Sequence, residues 1–381
     1  MSNWSLIDQF ARCLDRRAPQ ATGTWADPKR KLGQRQYLCL FLFTLFNPVL
    51  SSVRALCAAS NLERVRAKMT GGKVSLGSFS EAQHLCDPAL LEGLFRELSG
   101  KLGQAPPRDP NQAWERWLAQ DSSVFAALPR MSWAVYGGGK AGHLNNAVRL
   151  HLSFNVLSDH PVDARVTPGK TCERKAWKSQ WQKGAAYVGD RYYSGDYGLL
   201  RELDKSGGRY IVRLRDCAKL EIIEELDCSQ TDIKAGVQRQ AVVRLGEGPT
   251  RIAPVRVVWI RSPTAGELRL VTNLRADDAP AQMVSEIYRL RWQIEGFFRW
   301  VKCLLGCRHW LAESHNGVTL QLYLALIAAV LLQLHFGRRP NQRMLELIQL
   351  HQLGWASRKE LMEQLEAEIQ RQNSKKKNPG N

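Results

Sequence analysis

Three carboxylates stand out by their sequence surroundings, two of them in apolar segments and the third among cations and aromatic rings. Asp121 interrupts the apolar segment WLAQDSSVFAAL, Asp190 ends the apolar segment AAYVGD, and Glu295 lies among cations and aromatic rings in EIYRLRWQIEGFFRWVK. A charged aspartate inside an apolar strand is unfavourable unless it is paired or binds a cation. Carboxylate oxygens are ligands that Mg²⁺ and Mn²⁺ prefer, and two such ions ~4 Å apart can stabilise the attacking and leaving oxygens of a phosphodiester. If the three carboxylates meet at a sheet edge, they predict a site for this chemistry.

Each of these side chains also has a purely structural interpretation. Asp121 could cap a bend in the chain, and Asp190 could pair with the adjacent Arg191. Arg291 and Glu295 have the i,i+4 spacing of an ordinary helical ion pair, which contributes only ~0.3 kcal/mol. The residue types alone leave these alternatives open.

The segment that carries Glu295 has no proline, and its one glycine is tolerable in a helix, so we predict a continuous helix over 286–302. At about 100° per residue, an arc of about 60° on this helix carries four polar side chains: Tyr288, Arg291, Glu295 and Lys302. The neighbouring arc is apolar and predicts the face that packs on the core: Ile287, Leu290, Ile294, Phe297, Phe298 and Val301. The cations therefore lie beside the carboxylate, where they could hold a phosphate.

The charge of the chain indicates an anionic partner. The 381 residues carry a net charge of +18, and 44% of them are hydrophobic, which is typical of a globular protein. Nucleic acid is the partner that such an excess of cations favours, and a membrane surface is the alternative. The longest apolar run, Leu322–Leu332, is too short to span a bilayer and predicts a buried core helix instead.

The N-terminus and the cysteines favour a cytoplasmic protein. The first residues, MSNWSLIDQFARCLDRR, show no secretory signal. The nine cysteines form no CxxC pair, so we expect reduced thiols, as in a cytosol. Cys303, Cys307 and His309 lie close in sequence, but we interpret them as incidental residues at a helix end rather than as a zinc site.

The pattern of apolar residues, prolines and glycines predicts five segments. They are a helical region at 1–113, the first part of an α/β core at 114–216, a β-rich and mostly antiparallel insertion at 217–268, the second part of the core at 269–337, and a helical tail with a basic end at 338–381. Asp196 precedes a predicted helix and is interpreted as its N-cap rather than as a metal ligand. We expect the closing residues, NSKKKNPGN, to be disordered.

Several of these residues together resemble the DDE transposases of bacterial insertion sequences, in the insertion-sequence-4 family. The family signature is Tyr, two residues, Arg, three residues, Glu, six residues and Lys, and it is matched at Tyr288, Arg291, Glu295 and Lys302. The family motif D-R-x-Y is matched at 190–193, and the AQDSS segment matches the first catalytic aspartate at Asp121. The resemblance covers roughly 110–340, and the N-terminal helical region fits the DNA-binding part of the family only loosely.

The resemblance implies a fold and a site. The fold is a ribonuclease-H-like mixed sheet with a β-rich insertion between the second aspartate and the glutamate. The carboxylates of Asp121, Asp190 and Glu295 would bind two Mg²⁺ ions, with Mn²⁺ as a substitute. Side chains near the cleaved DNA end would contact its phosphates: Tyr288, Arg291 and Lys302, with Arg191 as a further candidate.

The resemblance also implies an activity on double-stranded DNA. A homodimer at the bacterial nucleoid would bind the terminal inverted repeats of its element, cut them with metal-activated water and join the freed 3′-OH to target DNA. Family members often cut through a hairpin with a flipped base, and Trp259 is a candidate stacking platform, although a strand-core role fits its pattern better. The alternatives are a DNA-binding protein or a nuclease without strand transfer.

Overall fold

The chain forms two compact units, each built from separated stretches of sequence. The computed structural model describes residues 5–17, 23–103, 116–138, 144–179, 181–182, 184–262, 266–306 and 310–377. The helical unit comprises Met1–Leu102, Ala126–Asn146 and Phe298–Asn381, and the sheet unit comprises Gly103–Phe125 and Ala147–Phe297. The predicted segment boundary at 113/114 lies outside the described residues.

The helical unit begins with a run of helices, as the sequence predicts for this region. They are α1 Ser5–Arg17, α2 Gln34–Phe46, α3 Val53–Ala59, α4 Glu63–Val65, which continues as a π-helical turn, α5 Leu76–Leu85 and α6 Pro88–Leu102. Its later helices are α12 His315–Phe336, α13 Gln342–Gln352 and α14 Arg358–Lys377. A short strand, β2 Val135–Gly138, pairs antiparallel with Leu144–Asn146.

Helix α12 is the buried centre of the helical unit. Ser314 caps its N-terminus by accepting a hydrogen bond from the Gly317 N–H at 3.1 Å, and the left-handed Gly337 ends it. The helix packs against α1, α2, α5 and α6. By length and composition alone this helix could cross a membrane, but 94% of its most apolar 18-residue stretch is buried inside the protein. The predicted core helix at Leu322–Leu332 is therefore confirmed as a buried helix.

A large mixed sheet forms the sheet unit. Its strands are β1 Trp117–Ala126, β3 Leu144–Asn155, β4 His160–Pro168, β5 Ala186–Gly189, β6 Arg209–Arg213, β7 Leu220–Leu226, β8 Val237–Leu245, β9 Val255–Ser262 and β10 Gly266–Thr272. Their order is β4-β3-β1-β5-β6-β10-β9-β8-β7. Strands β1, β5 and β6 run parallel, whereas β10, β9, β8 and β7 pair antiparallel. The predicted mixed sheet with helices is confirmed, and the predicted insertion contributes β7, β8 and β9.

The helices of the sheet unit follow its strands. They are α7 Glu173–Lys178, α8 Tyr197–Lys205, α9 Gln230–Lys234, α10 Ala281–Leu290 and the first part of α11 Trp292–Leu304. Asp196 caps α8 by accepting from the N–H groups of Gly198 and Leu199, so its interpretation as an N-cap is confirmed. The side chain thereby satisfies backbone donors that a helix start leaves unpaired.

Two predicted features of the helices are wrong. The continuous helix over 286–302 is divided into α10 and α11, because the N–H groups of Arg291 and Ile294 both bond three residues back, at 3.2 Å each, instead of four. These tighter bonds turn the chain at Arg291. The segment from Asn373 is predicted to be disordered, but its first residues, as far as Lys377, form the end of α14. This helix packs against α13.

The insertion is attached to the helix that leads to Arg291. Asp232 is 4% exposed; its Oδ2 accepts from the Ser229 N–H at 2.9 Å and its Oδ1 from the Gln282 N–H at 2.6 Å. The carbonyl oxygen of Ala235 accepts from Ser285 Oγ at 3.2 Å and from Arg289 Nη2 at 2.7 Å. The insertion therefore fixes the first turn and one side of α10.

Candidate functional site

The pairing of β1 with β5 brings the two predicted catalytic aspartates together. The strands are parallel, and Ala119 is the partner of Val188. Two residues further along both strands stand Asp121, inside β1, and Asp190, directly after β5. The sequence-based positions of both aspartates are thus reproduced, and Asp190 lies at the carboxyl edge where such sheets place their sites.

The electrostatics of Asp121 identify its neighbours. Burial raises the pKa of Asp121 to about 7, which the Ser122 N–H, at 2.7 Å from Oδ1, and the positive charge of Arg291 partly oppose. The negative charges of Asp190 and Glu173 raise the pKa of Asp121 further. Asp121 therefore lies in a poorly hydrated centre where negative charge accumulates.

Arg291 connects this centre to Glu295. Its Nη2 donates to Glu295 Oε1 at 2.9 Å, and its side chain is 7% exposed whereas that of Glu295 is 33% exposed. The guanidinium lies 5.8 Å from the ring centroid of Tyr288, which is itself buried, and 5.2 Å from that of Trp292. The buried Arg291 Nε–H has no hydrogen-bond acceptor among the described residues.

The carboxylates suit a divalent ion by their chemistry but are not assembled around one. Among the residues that the structure describes, no three histidine, cysteine, aspartate or glutamate side chains are grouped so that they could hold a metal ion. Asp121 and Asp190 act on one another electrostatically, whereas Glu295 is engaged by Arg291. The oxygen donors and the raised pKa of Asp121 fit a hard cation, and Glu295 could join them once Arg291 releases it.

Arginines surround the loop that follows Asp190. Arg174 donates to the Tyr192 carbonyl oxygen from Nε at 3.2 Å and from Nη2 at 2.9 Å, and Arg215 Nε donates to the Arg191 carbonyl oxygen at 3.4 Å. A Cβ atom on Gly195 would overlap both the Arg174 and the Arg215 guanidinium groups. Glycine is therefore required for these two cations to converge beside the second aspartate.

Trp259 lies in a different environment. It is 6% exposed in β9, within the hydrophobic core of the sheet unit, and the Arg239 guanidinium covers its ring at 5.0 Å from the centroid. Arg239 Nε in turn donates to Glu225 Oε2 at 2.9 Å. This burial favours the strand-core interpretation of Trp259 over the base-stacking one.

The structure thus joins most of the predicted residues and adds others. Asp190 and Arg291 both act electrostatically on Asp121, Arg291 donates to Glu295, and the Tyr288 ring lies against the Arg291 guanidinium. Lys302 stands on α11 beyond Glu295, and Arg191 is exposed directly after Asp190. Cys307 and His309 lie outside the described residues. The eight cysteines that are described are free thiols, as expected: Cys13, Cys39, Cys57, Cys86, Cys172, Cys217, Cys228 and Cys303.

Sequence reasoning missed Glu173, Arg174 and Arg215. Glu173 and Arg174 begin the predicted helix in KTCERKAWKSQW, where acidic and basic residues are ordinary. Arg215 follows the strand RYIVRLRD, where a cation is equally ordinary. Only Gly195, between Ser194 and Asp196, carried a signal, because an isolated glycine often marks a close approach of another group to the backbone.

The fold and site define an α/β protein with an acidic centre that arginines flank on two sides. Residues 115–331, more than half of the chain, match the family model described as Transposase DDE domain. The chain therefore belongs to the DDE transposase domain family. The finer assignment to one insertion-sequence family is not part of this match.

Three curated relatives carry the same description. One of Geobacillus stearothermophilus, described as a transposase for insertion sequence element IS5377, is 28% identical over 226 residues, which cover 59% of this chain and 58% of the relative. Transposase y4zB of Sinorhizobium fredii is 25% identical, covering 65% of this chain and 67% of its own length. A transposase for insertion sequence element IS4SA of Synechocystis is 23% identical, covering 71% and 74%. The match thus spans less than two thirds of the first of these relatives.

A solved structure shows only a weak similarity. The piggyBac transposase synaptic complex with hairpin DNA has a TM-score of 0.43 and 10% identity, and the match covers 91% of this chain and 75% of that one. A similarity at this level supports no conclusion about the chain.

The raised pKa of Asp121 predicts a pH-dependent stability. The carboxyl is neutral in both states below its unfolded pKa of ~3.9, so its favourable contribution is present there and is lost as the pH rises to about 7. In EDTA, Asp121→Asn should therefore unfold at higher urea than the wild type at pH 8, with an advantage over pH 5 of ~2 kcal/mol. Asp216→Asn, at a side chain 79% exposed, is the control. Parallel pH profiles for Asp121→Asn and the wild type would contradict the burial of this charge.

Proposed function

We propose that the chain is an insertion-sequence transposase that binds the terminal inverted repeats of its element and catalyses metal-dependent DNA cleavage and strand transfer. The observation that carries the proposal is the meeting of Asp121 and Asp190 on neighbouring parallel strands, beside the ion pair of Arg291 with Glu295. The membership in the DDE transposase domain family supports it. The finer proposal is the insertion-sequence-4 family, on the signature of Tyr288, Arg291, Glu295 and Lys302.

We infer a ribonuclease-H-like core from the strand order. Strands β4, β3 and β1 lie together on one side, and β5 and β6 follow β1 in parallel. Helices α7 and α8 make the connections to β5 and β6. The five predicted segments, with the insertion at 217–268 between the second aspartate and the glutamate, are part of the same proposal.

The metal ion of this proposal is Mg²⁺, with Mn²⁺ as a substitute. Asp121, Asp190 and Glu295 would hold it, and a bound ion would lower the pKa of water and stabilise charge on the phosphodiester oxygens. Asp121 and Asp190 come from rigid strands, so the protein holds them in place before DNA arrives. Glu295 must exchange its bond to Arg291 for the ion, which frees a buried cation beside the substrate.

The DNA-binding surface of the proposal surrounds this centre. Arg291, whose buried Nε–H has no acceptor within the described part of the chain, and the adjacent Tyr288 would hold a phosphate near the cleaved end. Arg174, Arg191 and Arg215 would hold phosphates on the side of Asp190. Lys302 and the helical N-terminal region are further candidates for phosphate contacts, which position DNA without reading its sequence.

Side chains of this protein can be assigned roles in the proposed cleavage and strand transfer. The arginines would orient the phosphodiester, and the carboxylates would hold the metal ion that binds the reacting oxygens. Cleavage frees a 3′-OH, which occupies the same centre when it attacks target DNA. A flipped base could stack on Trp259 only after Arg239 has moved away, since that guanidinium now covers the ring.

The alternative proposals are a DNA-binding protein that has lost catalysis and a nuclease without strand transfer. All three carboxylates are present, which argues against the first. Incubation with element-end DNA and Mg²⁺ separates them, because binding alone, nicking alone and joined products are distinct on a gel. The proposed location is the bacterial cytoplasm, at the nucleoid.

Glu295→Gln should abolish cleavage of end DNA while DNA binding stays within about threefold of the wild type, because a catalytic acid contributes several kcal/mol to the transition state but little to binding phosphates. Cleavage is measured on labelled DNA ends and binding by mobility shift. Glu286→Gln, an exposed acid on α10, is the matched control and should cleave normally. Cleavage by Glu295→Gln at the wild-type rate would remove this glutamate from the site.

Lys302→Ala and Arg191→Ala should each weaken the binding of end DNA and lower the slope of log K against log salt by about one, as expected for one lost phosphate contact. Binding is titrated at several salt concentrations by fluorescence anisotropy. Lys359→Ala, at a side chain 88% exposed on α14, should leave the slope unchanged. If the two variants and this control have equal slopes, Lys302 and Arg191 do not contact phosphates.

We propose that two copies act on two element ends. Apolar side chains remain exposed around the turn between α13 and α14: Leu350, Leu353, Trp355 and Met362. Trp355 is 81% exposed, and such a patch is suited to a second copy. Light scattering with end DNA should give two proteins for each pair of ends, and Trp355→Ser should reduce that mass. Strand transfer by particles that contain a single protein and a single DNA end at all concentrations would refute the dimer.

A further inference from the structure

We propose that Arg149, Glu173 and Ser122 position the carboxylate of Asp121, so that the first aspartate is held in place by a network that lies outside the transposase signature. The inference rests on the proposed function, since it assigns Asp121 the role of a metal ligand. None of the three residues would itself touch the metal or the DNA.

The network is a closed set of hydrogen bonds between three elements. Arg149 on β3 donates from Nη1 to Glu173 Oε1 at 2.7 Å and to Ser122 Oγ at 2.8 Å. Ser122 Oγ on β1 donates to the same oxygen of Glu173, at the start of α7. Arg149 Nε donates to the Gly169 carbonyl oxygen at 3.0 Å, which also ties down the loop before α7. Each member therefore restricts the other two.

The ion pair of Arg149 with Glu173 is more buried than an ion pair on the surface of the insertion. The side chains of Arg149 and Glu173 are 15% and 18% exposed, whereas those of Arg244 and Glu221 in the insertion are 45% and 54% exposed. Exposed pairs contribute little because water screens them, but loss of one partner of a buried pair leaves an uncompensated charge. The Arg149 pair is thus a fixed structural element.

Ser122 transmits this rigidity to the metal site. Its hydroxyl belongs to the network, and its own N–H donates to Asp121 Oδ1 at 2.7 Å. The bonds of the Ser122 hydroxyl to Arg149 and Glu173 resist a shift of the β1 backbone at Ser122, and such a shift would move the N–H that orients the Asp121 carboxylate. Partners of metal ligands act in this way, and their loss typically lowers metal affinity by about 10- to 100-fold.

Glu173 is a positioning residue and not a fourth ligand. Its Oε1 accepts from both Arg149 and Ser122, so the charge of the glutamate is already neutralised by an arginine. A ligand role would fall to Oε2, the oxygen that takes no part in these two bonds. Glu173→Gln separates the positioning role from the ligand role. An amide oxygen still accepts both hydrogen bonds, as positioning requires, but it lacks the negative charge that a metal ligand would supply.

The test measures Mn²⁺ binding to the full chain without DNA, by electron paramagnetic resonance, together with the Mn²⁺ concentration that gives half-maximal cleavage of end DNA. Glu173→Ala should raise the dissociation constant by about 10-fold or more, and Glu173→Gln should recover most of that loss. Ser122→Ala, which removes only the hydroxyl, should act in the same direction as Glu173→Ala. Glu221→Ala is the control, from an exposed ion pair of the insertion.

The outcomes are distinct. Wild-type affinity in both Glu173→Ala and Ser122→Ala would overturn the inference, and so would a Glu173→Gln variant as weak as Glu173→Ala, since that result would indicate a ligand. Thermal melting in EDTA shows whether Glu173→Ala is folded, and Ser122→Ala supplies the decisive measurement if it is not. A wild-type chain that neither binds Mn²⁺ nor cleaves would instead refute the proposed function.

Discussion

The parallel pairing of β1 with β5 is the constraint on which the site depends. It places two carboxylates at one sheet edge, where burial and the negative charge of Asp190 raise the pKa of Asp121. Backbone hydrogen bonds across the sheet hold the register, so the aspartates cannot move apart to relieve the repulsion. The free energy that this arrangement costs is offset by the buried Arg291, whose positive charge acts on Asp121 as well as on Glu295.

The division of the predicted helix at Arg291 determines where the guanidinium of this residue lies. In a continuous helix, Arg291 would lie on the same face as Glu295 and Tyr288. Instead, the N–H groups of Arg291 and Ile294 bond to carbonyl oxygens three residues back, and the chain turns between α10 and α11. The guanidinium is then buried beside Asp121 while it still reaches Glu295. Arg291 thereby gives the acidic centre a buried counter-charge.

The insertion matters to the site through α10. Its Asp232 binds the start of that helix, and its Ala235 carbonyl oxygen binds Ser285 and Arg289 along one side. Because α10 carries Tyr288 and ends before Arg291, a shift of the insertion would be transmitted to the cations next to Glu295. The β-rich segment is thereby part of the support of the site as well as an extension of the sheet.

The sequence alone determined the local features. Apolar runs defined the strands that carry Asp121 and Asp190, the capping preference of aspartate identified Asp196, and the spacing from Tyr288 to Lys302 indicated the family to which the chain is similar. These signals are local because propensity, alternation and motif spacing act over a few residues. Tertiary structure alone decided the turn at Arg291, the convergence of two arginines on Gly195, and the contact of Glu173 with Ser122, 51 residues away in sequence. Such contacts depend on which strands become neighbours, and the pairing of strands that are distant in sequence leaves no mark in either segment by itself.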